Sequence, residues 1–307
     1  MIKANVVSKE ILAKDIVQLR LTPDHWEDWQ PGAHLDITLP NGMERQYSLV
    51  PCDNRQYAIA VLKESDSRGG SLCIHDDVQV GTELKLSAPK SKFTLQHDGR
   101  AILMSAGIGI TPLMSIADAL HAADIPLDFR YAFRAPDQAA YLNWLATRPW
   151  ADACQQHISS EGTRLDIAKT LQDLQPDAHV YACGPSAFLE PIEAAMSAQN
   201  CLDRLHVEYF SNNDIELSGS DFIVHLAQSG GEIKVGEQET ILTALQREGY
   251  DPMYSCEDGV CGACILPLVE GEAEHRDKFL TDEEHASQSE IAICCSRAKT
   301  NSITIDF

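Results

Sequence analysis

Three rhythms of apolar and polar positions succeed one another along the chain. In the first, short runs such as IVQLRL (16–21), HLDITL (34–39), YAIAVL (57–62) and ELKLSA (83–88) alternate apolar with polar residues or are rich in β-formers, with turn signals at Pro31-Gly32 and Asn41-Gly42. Short strands at this spacing predict an antiparallel β-barrel over residues 1–97. The rhythm then lengthens. AILMSA (101–106) reads as a buried strand, and after a glycine turn TPLMSIADAL places Leu113, Ile116, Ala117 and Leu120 on one helical face. Strand LDFRYAF (127–133) follows, and HVYA (179–182) runs through Cys183-Gly184-Pro185 into a helix that should bury Phe188, Ile192 and Met196. Strand and helix alternate, which predicts an α/β domain with a parallel sheet over residues 98–210.

SNNDIELSGS (211–220) is polar and without apolar period, and reads as a linker. Beyond it, FIVHLA (222–227) and EIKV (232–235) resemble a hairpin around Ser229-Gly230-Gly231, a short helix spans about 240–248 before Gly249, and SITIDF closes a third domain over 221–307.

The length of 307 residues is enough for two or three cores, and 44% hydrophobic with 23% charged residues is the composition of a soluble globular protein. The opening MIKANVVSKE has no apolar run behind its first lysine, and no stretch approaches the ~18 apolar residues of a membrane helix, so a cytoplasmic protein without membrane contact is expected. A net charge of -22 argues against nucleic acid, whose phosphates it would repel. Residues 221–307 hold 17 acids and 6 lysines plus arginines, a net of -11, so half of the excess lies in the last 87 residues. Such a face serves solubility or steers the domain onto a basic protein partner, and the sequence leaves both readings open.

The candidate chemistry sits at the turns. In AGIGITP, Gly107 and Gly109 let backbone approach a ligand, Thr111 can cap the helix, and Pro112 at its first position forfeits no useful N–H. The helix start would then offer amides and a positive dipole end to an anion, although an ordinary tight turn also uses glycine. Cys183-Gly184-Pro185 would lie beside it at the carboxyl edge of the sheet. In RQYSL (45–49), Tyr47 could stack on a flat ring and Arg45 hold a phosphate, with Ser48 next to them; the plainer reading is an edge strand. RGGS (68–71) is a second glycine turn whose amides at Gly69, Gly70 and Ser71 could wrap a phosphate.

Ten cysteines in a chain without a leader point to a reducing compartment, where a tight cluster holds metal more often than disulfides. Cys256 and Cys261 are separated by four residues, Cys261 and Cys264 by two, and Cys294 follows after 29 more. That is the plant-type 2Fe-2S spacing, whereas the two CxxC pairs usual for zinc are not both present. Gly259, Gly262 and Ala263 leave room for a loop around a cluster, with amides directed at sulfur. His275 in EHRD and His285 in EEHA read as surface or hydrogen-bonded residues rather than ligands.

Taken together, RQYSL, SRGGS, AGIGITP, YACGP, the cysteine spacing, EGEAEHRDKFLTDEE and ICCSRAK resemble the phthalate dioxygenase reductase family, over nearly the whole chain, and are similar to the reductase components of vanillate demethylase and carnitine monooxygenase. The resemblance implies a flavin barrel, a pyridine-nucleotide domain and a C-terminal ferredoxin domain of β-grasp fold, in that order. It implies FMN rather than FAD, held by Arg45, Tyr47, Ser48, Lys63, Gly69, Gly70 and Ser71. It places NADH against Gly107, Gly109, Thr111, Pro112, Cys183, Gly184 and Pro185, so that Cys183, Thr111 and Phe210 surround the reacting rings. It assigns Cys256, Cys261, Cys264 and Cys294 to the 2Fe-2S cluster, and Cys295 to a position where valine often stands. Ala106 departs from the family, which commonly has glycine there. The implied partner is a Rieske-type oxygenase acting on an aromatic acid or a quaternary amine, with the reductase a monomer by itself. The alternatives are another soluble acceptor, such as a cytochrome or ferredoxin, or a zinc module without redox function. NADH over NADPH is also the family's implication, since Arg134 could meet a 2'-phosphate and Asp137 disfavour one.

Overall fold

The structure is a computed structural model that describes residues 1–64, 67–93, 95, 99–211, 215 and 217–307. By its contacts the chain forms two compact units, Met1–Phe210 and Ser211–Phe307. The expected domain boundary at 97 and residues 212–214 and 216 of the expected linker lie outside the described residues.

The first unit begins with β1 (Ile2–Ala13), β2 (Ile16–Pro23), β3 (His34–Thr38), β4 (Glu44–Ser48), β5 (Tyr57–Leu62), the helix α1 (Gly70–Asp76) and β6 (Glu83–Leu86). The strands form one antiparallel sheet in the order β4-β3-β6-β1-β2-β5. A bridge between Leu49 and Ile59 joins its two ends and closes the barrel. Leu19, Leu21, Leu35, Ile37, Leu49 and Ile59 fill it at full burial. Strand β1 was not predicted. Its inward residues Ile2, Ala4 and Val6 keep period two, but register shifts between Val6 and Ser8 and between Ile11 and Ala13 break the alternation that sequence reading relies on.

Then come β7 (Arg100–Ala106), α2 (Ile110–Ala122), β8 (Leu127–Phe133), α3 (Leu142–Leu145), β9 (Cys154–Ile158), α4 (Ile167–Leu171), β10 (Ala178–Cys183), α5 (Ser186–Ala198) and β11 (Leu205–Glu208). The five strands are all parallel, in the order β11-β10-β7-β8-β9. Alternate residues of β7 serve opposite faces: Ala101 and Leu103 pack with α2, Ile102 and Met104 with α4 and α5. From β7 the chain runs to β8 on one side, while β10 lies on the other, so the strand order reverses between β7 and β10. In such sheets the crevice at this reversal is where ligands bind. The barrel is fastened to this layer by the Gly32 amide, which donates to Ser115 Oγ of α2 at 2.9 Å, and by Tyr141, whose hydroxyl donates to Gln18 of β2 at 2.9 Å.

The second unit contains β12 (Phe222–Leu226), β13 (Glu232–Val235), α6 (Ile241–Arg247), β14 (Ile265–Glu270), β15 (Ala273–Glu274), α7 (Asp282–Ser287), β16 (Glu290–Ala292), β17 (Arg297–Ala298) and β18 (Ser302–Ile305). Its main sheet runs β13-β12-β18-β14-β16, with β12 and β18 parallel at its centre, and β15 pairs β17 apart from it. Helix α6 is started by Thr240, whose hydroxyl accepts the Thr243 amide, and lays Ile241, Leu242, Ala244 and Leu245 against the sheet. Arg297 is buried and donates to the carbonyls of Leu217, Ser220, Gly236 and Glu239. Residues 217–220, expected to be part of a free linker, are thereby held to this unit.

Candidate functional site

Strands β7 and β10 end side by side, and each runs into a glycine turn. Gly107 adopts φ +57°, a conformation that favours glycine, at the start of a 3-10 turn that leads directly into α2. The turns touch. A methyl group on Gly109 would meet the Cys183 carbonyl oxygen at 2.3 Å, and one on Gly184 would meet Ala106 Cβ at 3.0 Å. Only bare backbone fits between them, which leaves amides of both turns along one edge of the sheet. Two details differ from expectation. Because winding already begins in the 3-10 turn, Thr111 is inside α2 rather than at its cap, 2% exposed, with Oγ1 donating to the Ile108 carbonyl at 3.0 Å. For the same reason Pro112 is the third residue of α2, not the first.

Three side chains from separate strands converge beside this crevice. Register places Cys183 of β10 next to Glu208 of β11, and Ser48 at the end of β4 stands close enough to favour the ionised form of the same carboxyl. Burial outweighs that help and pushes the Glu208 carboxyl up to about 8, its Oε2 being fully enclosed. Burial, then the Glu208 charge, raises the Cys183 thiol well above its ordinary range. Sequence reading missed Glu208. The signal was a lone acid in the strand end HVEYF, where an ionisable group has little water. Phe210, just beyond it, is 39% exposed, and Tyr47 packs half-buried against the barrel core.

The remaining barrel residues gather at α1. Gly70 opens this helix, so RGGS is a helix start and not the wrapping turn expected. Arg45 lies against it: a methyl group at Gly70 would stand 2.8 Å from Arg45 Cγ. Gly69 has φ +111°, which favours glycine, and its carbonyl accepts from Asn41 at 3.2 Å. Ser71 Oγ accepts the Glu64 amide at 3.2 Å, and Lys63 is ion-paired with Asp76 at 2.7 Å. Of the expected barrel residues, the structure thus groups Arg45, Gly69, Gly70 and Ser71 around one helix start, while Asp76 holds the Lys63 ammonium at the other end of the helix.

In the second unit the cysteines converge for identifiable reasons. Pairing of β14 with β16 sets Ile265 opposite Ala292, and one step further the Ile293 amide donates to the Cys264 carbonyl at 3.3 Å, which brings Cys264 and Cys294 together across 29 intervening residues. Cys256 and Cys261 face them from the loop between α6 and β14. Amides point at sulfur: Asp258 N to Cys256 Sγ at 3.3 Å, and Cys256 N and Ala263 N to Cys261 Sγ at 3.5 and 3.4 Å. The Cys261 thiol and the backbone amides of Asp258, Val260 and Cys261 lower Cys256 to about 6. Such donors suit a set of thiolates holding an anionic iron-sulfur cluster. Glycine is required in this loop. A methyl group on Gly262 (φ +76°) would fall 2.0 Å from the Phe279 ring, and one on Gly259 (φ +65°) 2.6 Å from Cys295 Sγ. Cys295 therefore sits beneath the loop, against Gly259.

The histidine expectation holds for His285, whose Nε2 stands 3.3 Å from Asp277 Oδ2, and needs correction for His275. The side chain of His275 is 6% exposed and neither ring nitrogen makes a hydrogen bond of good geometry. It is neither a surface residue nor a hydrogen-bonded one, because the 275–280 segment folds inward to cover the cysteine loop.

A closed antiparallel barrel, a doubly wound nucleotide layer and a ferredoxin sheet with a four-cysteine loop define an oxidoreductase that moves electrons from a pyridine nucleotide through a flavin to iron-sulfur. Residues 224–299 match the family described as 2Fe-2S iron-sulfur cluster binding domain. The chain is 38% identical over 282 residues to vanillate O-demethylase oxidoreductase of Acinetobacter baylyi, covering 90% of this chain and 88% of that one. Among solved structures it is similar to phthalate dioxygenase reductase, with 31% identity, a TM-score of 0.75 and coverage of 99% and 97% of the two chains. It is also similar to an intact type IV self-sufficient cytochrome P450 monooxygenase, at 34% identity and a TM-score of 0.87, where all of this chain spans 41% of that one. The chain belongs to the phthalate dioxygenase reductase family, the reductase components of oxygenase systems. Among the described residues no helix is long and apolar enough to cross a membrane.

Proposed function

We propose that the protein takes electrons from NADH by way of FMN and delivers them, by way of a 2Fe-2S cluster, to a Rieske-type oxygenase. The observation that carries this reading is the convergence of Ser48, from the barrel, with Cys183 and Glu208, from the sheet edge, because it lies where a barrel ligand and a crevice ligand would meet. The bound flavin would supply two-electron uptake and one-electron release, and the cluster one-electron relay. The chain's own residues would position these groups. Gly107, Gly109 and Gly184 admit a dinucleotide phosphate to bare backbone, with Thr111 and Pro112 fixing the helix start and Pro185 the opposite turn. Arg45, Gly69, Gly70 and Ser71 would receive the flavin phosphate, Lys63 would have to leave Asp76 to add its charge, and Tyr47 and Phe210 would flank the ring. Glu208, its carboxyl pushed up to about 8 by burial, would bring a protonated acid near the Ser48 hydroxyl at this crevice. Cys256, Cys261, Cys264 and Cys294 would be the four thiolate ligands. Arg134, exposed just past β8, is the residue by which NADPH would compete with NADH.

The names of the relatives support an oxygenase acceptor, and the acidic second unit suits a basic docking face on it. The likeness to a cytochrome P450 monooxygenase favours haem as the alternative acceptor. The test is to purify the protein, add NADH without oxygen, and identify the flavin that acid releases. Bleaching of both flavin and iron-sulfur absorption with FMN released is the expected result. Release of FAD would refute the FMN assignment, and colour that NADH leaves unchanged would refute the reading as a whole.

A further inference from the structure

Below the cysteine loop the second unit holds another group of ligand-bearing side chains, which electron transfer does not use. His275, Asp277 and His285 each offer one donor atom, and the three atoms lie within 4.8 Å of one another. The two imidazoles are stacked, with centroids 4.3 Å apart at 17°. Asp277 is buried and anchored: its Oδ2 accepts the amides of Phe279 and Leu280 at 3.3 and 2.9 Å, and its Oδ1 accepts the Ser296 hydroxyl at 3.3 Å. His285 Nε2 stands 3.3 Å from Oδ2, and His275 Nδ1 3.8 Å from Oδ1, too far for a hydrogen bond.

This arrangement is costly as it stands. A buried imidazole with no hydrogen bond of good geometry at either nitrogen forfeits the hydration of both, on the order of 1–3 kcal/mol for each unmet group. What satisfies two imidazoles and a carboxylate at once is a metal ion. Around a tetrahedral ion with bonds of ~2.0–2.2 Å the donor atoms stand about 3.3–3.6 Å apart, so the three donor atoms would draw together and the stacked rings turn out of parallel until each lone pair meets the ion. The donor set selects the ion: imidazole suits zinc and its transition-metal neighbours, whereas magnesium and calcium prefer all-oxygen sites. The hydrogen bonds already fixing the carboxylate are the kind of outer support that metal ligands require. Access exists as well. A cleft of about 540 Å³ opens onto His275 and His285, with Glu272, Glu274, Gln288 and Lys299 around it.

We infer that His275, Asp277 and His285 form a second metal site, distinct from the four-cysteine cluster and selective for a zinc-like divalent ion. The ion would pin the segment that carries Asp277 and Phe279, which packs on Gly259 and Gly262 of the cysteine loop, and so brace that loop without carrying electrons.

The test uses the full chain with its cluster intact, dialysed to equilibrium against zinc and analysed for metal. One zinc per chain is expected besides the cluster iron, together with a rise in the thermal midpoint. His275→Phe and His285→Phe keep a stacked ring while removing the nitrogens, and each should weaken zinc binding at least tenfold and abolish the thermal shift, with cluster absorption unchanged. No stoichiometric zinc, or zinc held equally by both variants, would overturn the assignment. Either result leaves the electron-transfer reading untouched, because reduction by NADH is measured separately.

Discussion

The backbone of Cys183 leaves no room for a side chain at Gly109: a methyl group there would stand 2.3 Å from the Cys183 carbonyl oxygen and 2.8 Å from the Gly184 nitrogen. The two turns of the crevice are in contact through a residue whose own φ of -61° any amino acid could adopt. The constraint is therefore steric.

Gly109→Ala should force the turns apart, costing about 1–3 kcal/mol of overpacking. NADH-driven flavin reduction should fall at least tenfold with a raised KM, while flavin and cluster absorption persist. Gly107→Ala is the comparison, since a methyl group there meets nothing within 4 Å and suffers only from φ +57°. It should lose about 1 kcal/mol and much less activity. Steady-state kinetics of both variants decide the matter, and equal losses would contradict the steric account.

Glu208 predicts a pH dependence with a definite sign. Its carboxyl binds a proton up to about pH 8 when folded, against an ordinary value of 4.5. Between those limits the folded state holds more proton than the unfolded one, so the contribution of this group to stability is complete below the lower limit and is lost as pH rises to the upper. The thermal midpoint of wild-type protein should fall between pH 5 and pH 8.5 more than that of Glu208→Gln, by about 2–4 °C for each kcal/mol involved. Parallel curves would show that the carboxyl is ionised throughout.

The fourth thiolate can be assigned by substitution. Cys294→Ser should lose or cripple the cluster, seen as loss of visible iron-sulfur absorption, whereas Cys295→Val should retain it. Cys295 supports the loop through Gly259, so its replacement should lower stability by about 1 kcal/mol at most. The reverse pattern of colour would exchange the two roles.

Docking through the acidic second unit should weaken with salt. Partner-dependent NADH oxidation should fall several-fold between about 20 and 300 mM salt, as the screening length shortens below about 10 Å. Flavin reduction by NADH alone should change little. A partner-dependent rate that ignores salt would remove electrostatics from the docking account.

Much of this was readable in the chain. Period-two runs located β2, β3, β5 and β6, strand-helix alternation located the parallel sheet, and the spacing of Cys256, Cys261, Cys264 and Cys294 gave the cluster loop, because each signal is local. What was not readable depends on neighbours distant in sequence. Strand β1 hides behind its register shifts. Thr111 became an interior residue because a 3-10 turn precedes α2. Glu208 is remarkable only beside Ser48 and Cys183, and Arg297 only because four carbonyls from 217 to 239 surround it. His275 looked like a surface residue in EHRD, and nothing local says that the segment turns inward.

The parallel pairing of β12 with β18 has a consequence for how the protein is made. The central strand of the cysteine-bearing sheet is the last to be synthesised, since Ile223 pairs with Ser302 and Leu226 with Ile305. The first unit can fold while the ribosome is still working. The second cannot complete its sheet until residue 305 has emerged, so all four thiols are translated before the scaffold that sets their geometry exists. Closure of the sheet behind the cysteine loop thus follows the synthesis of β18, and a chain lacking residues 302–305 should leave β12 and β14 without the strand that joins them.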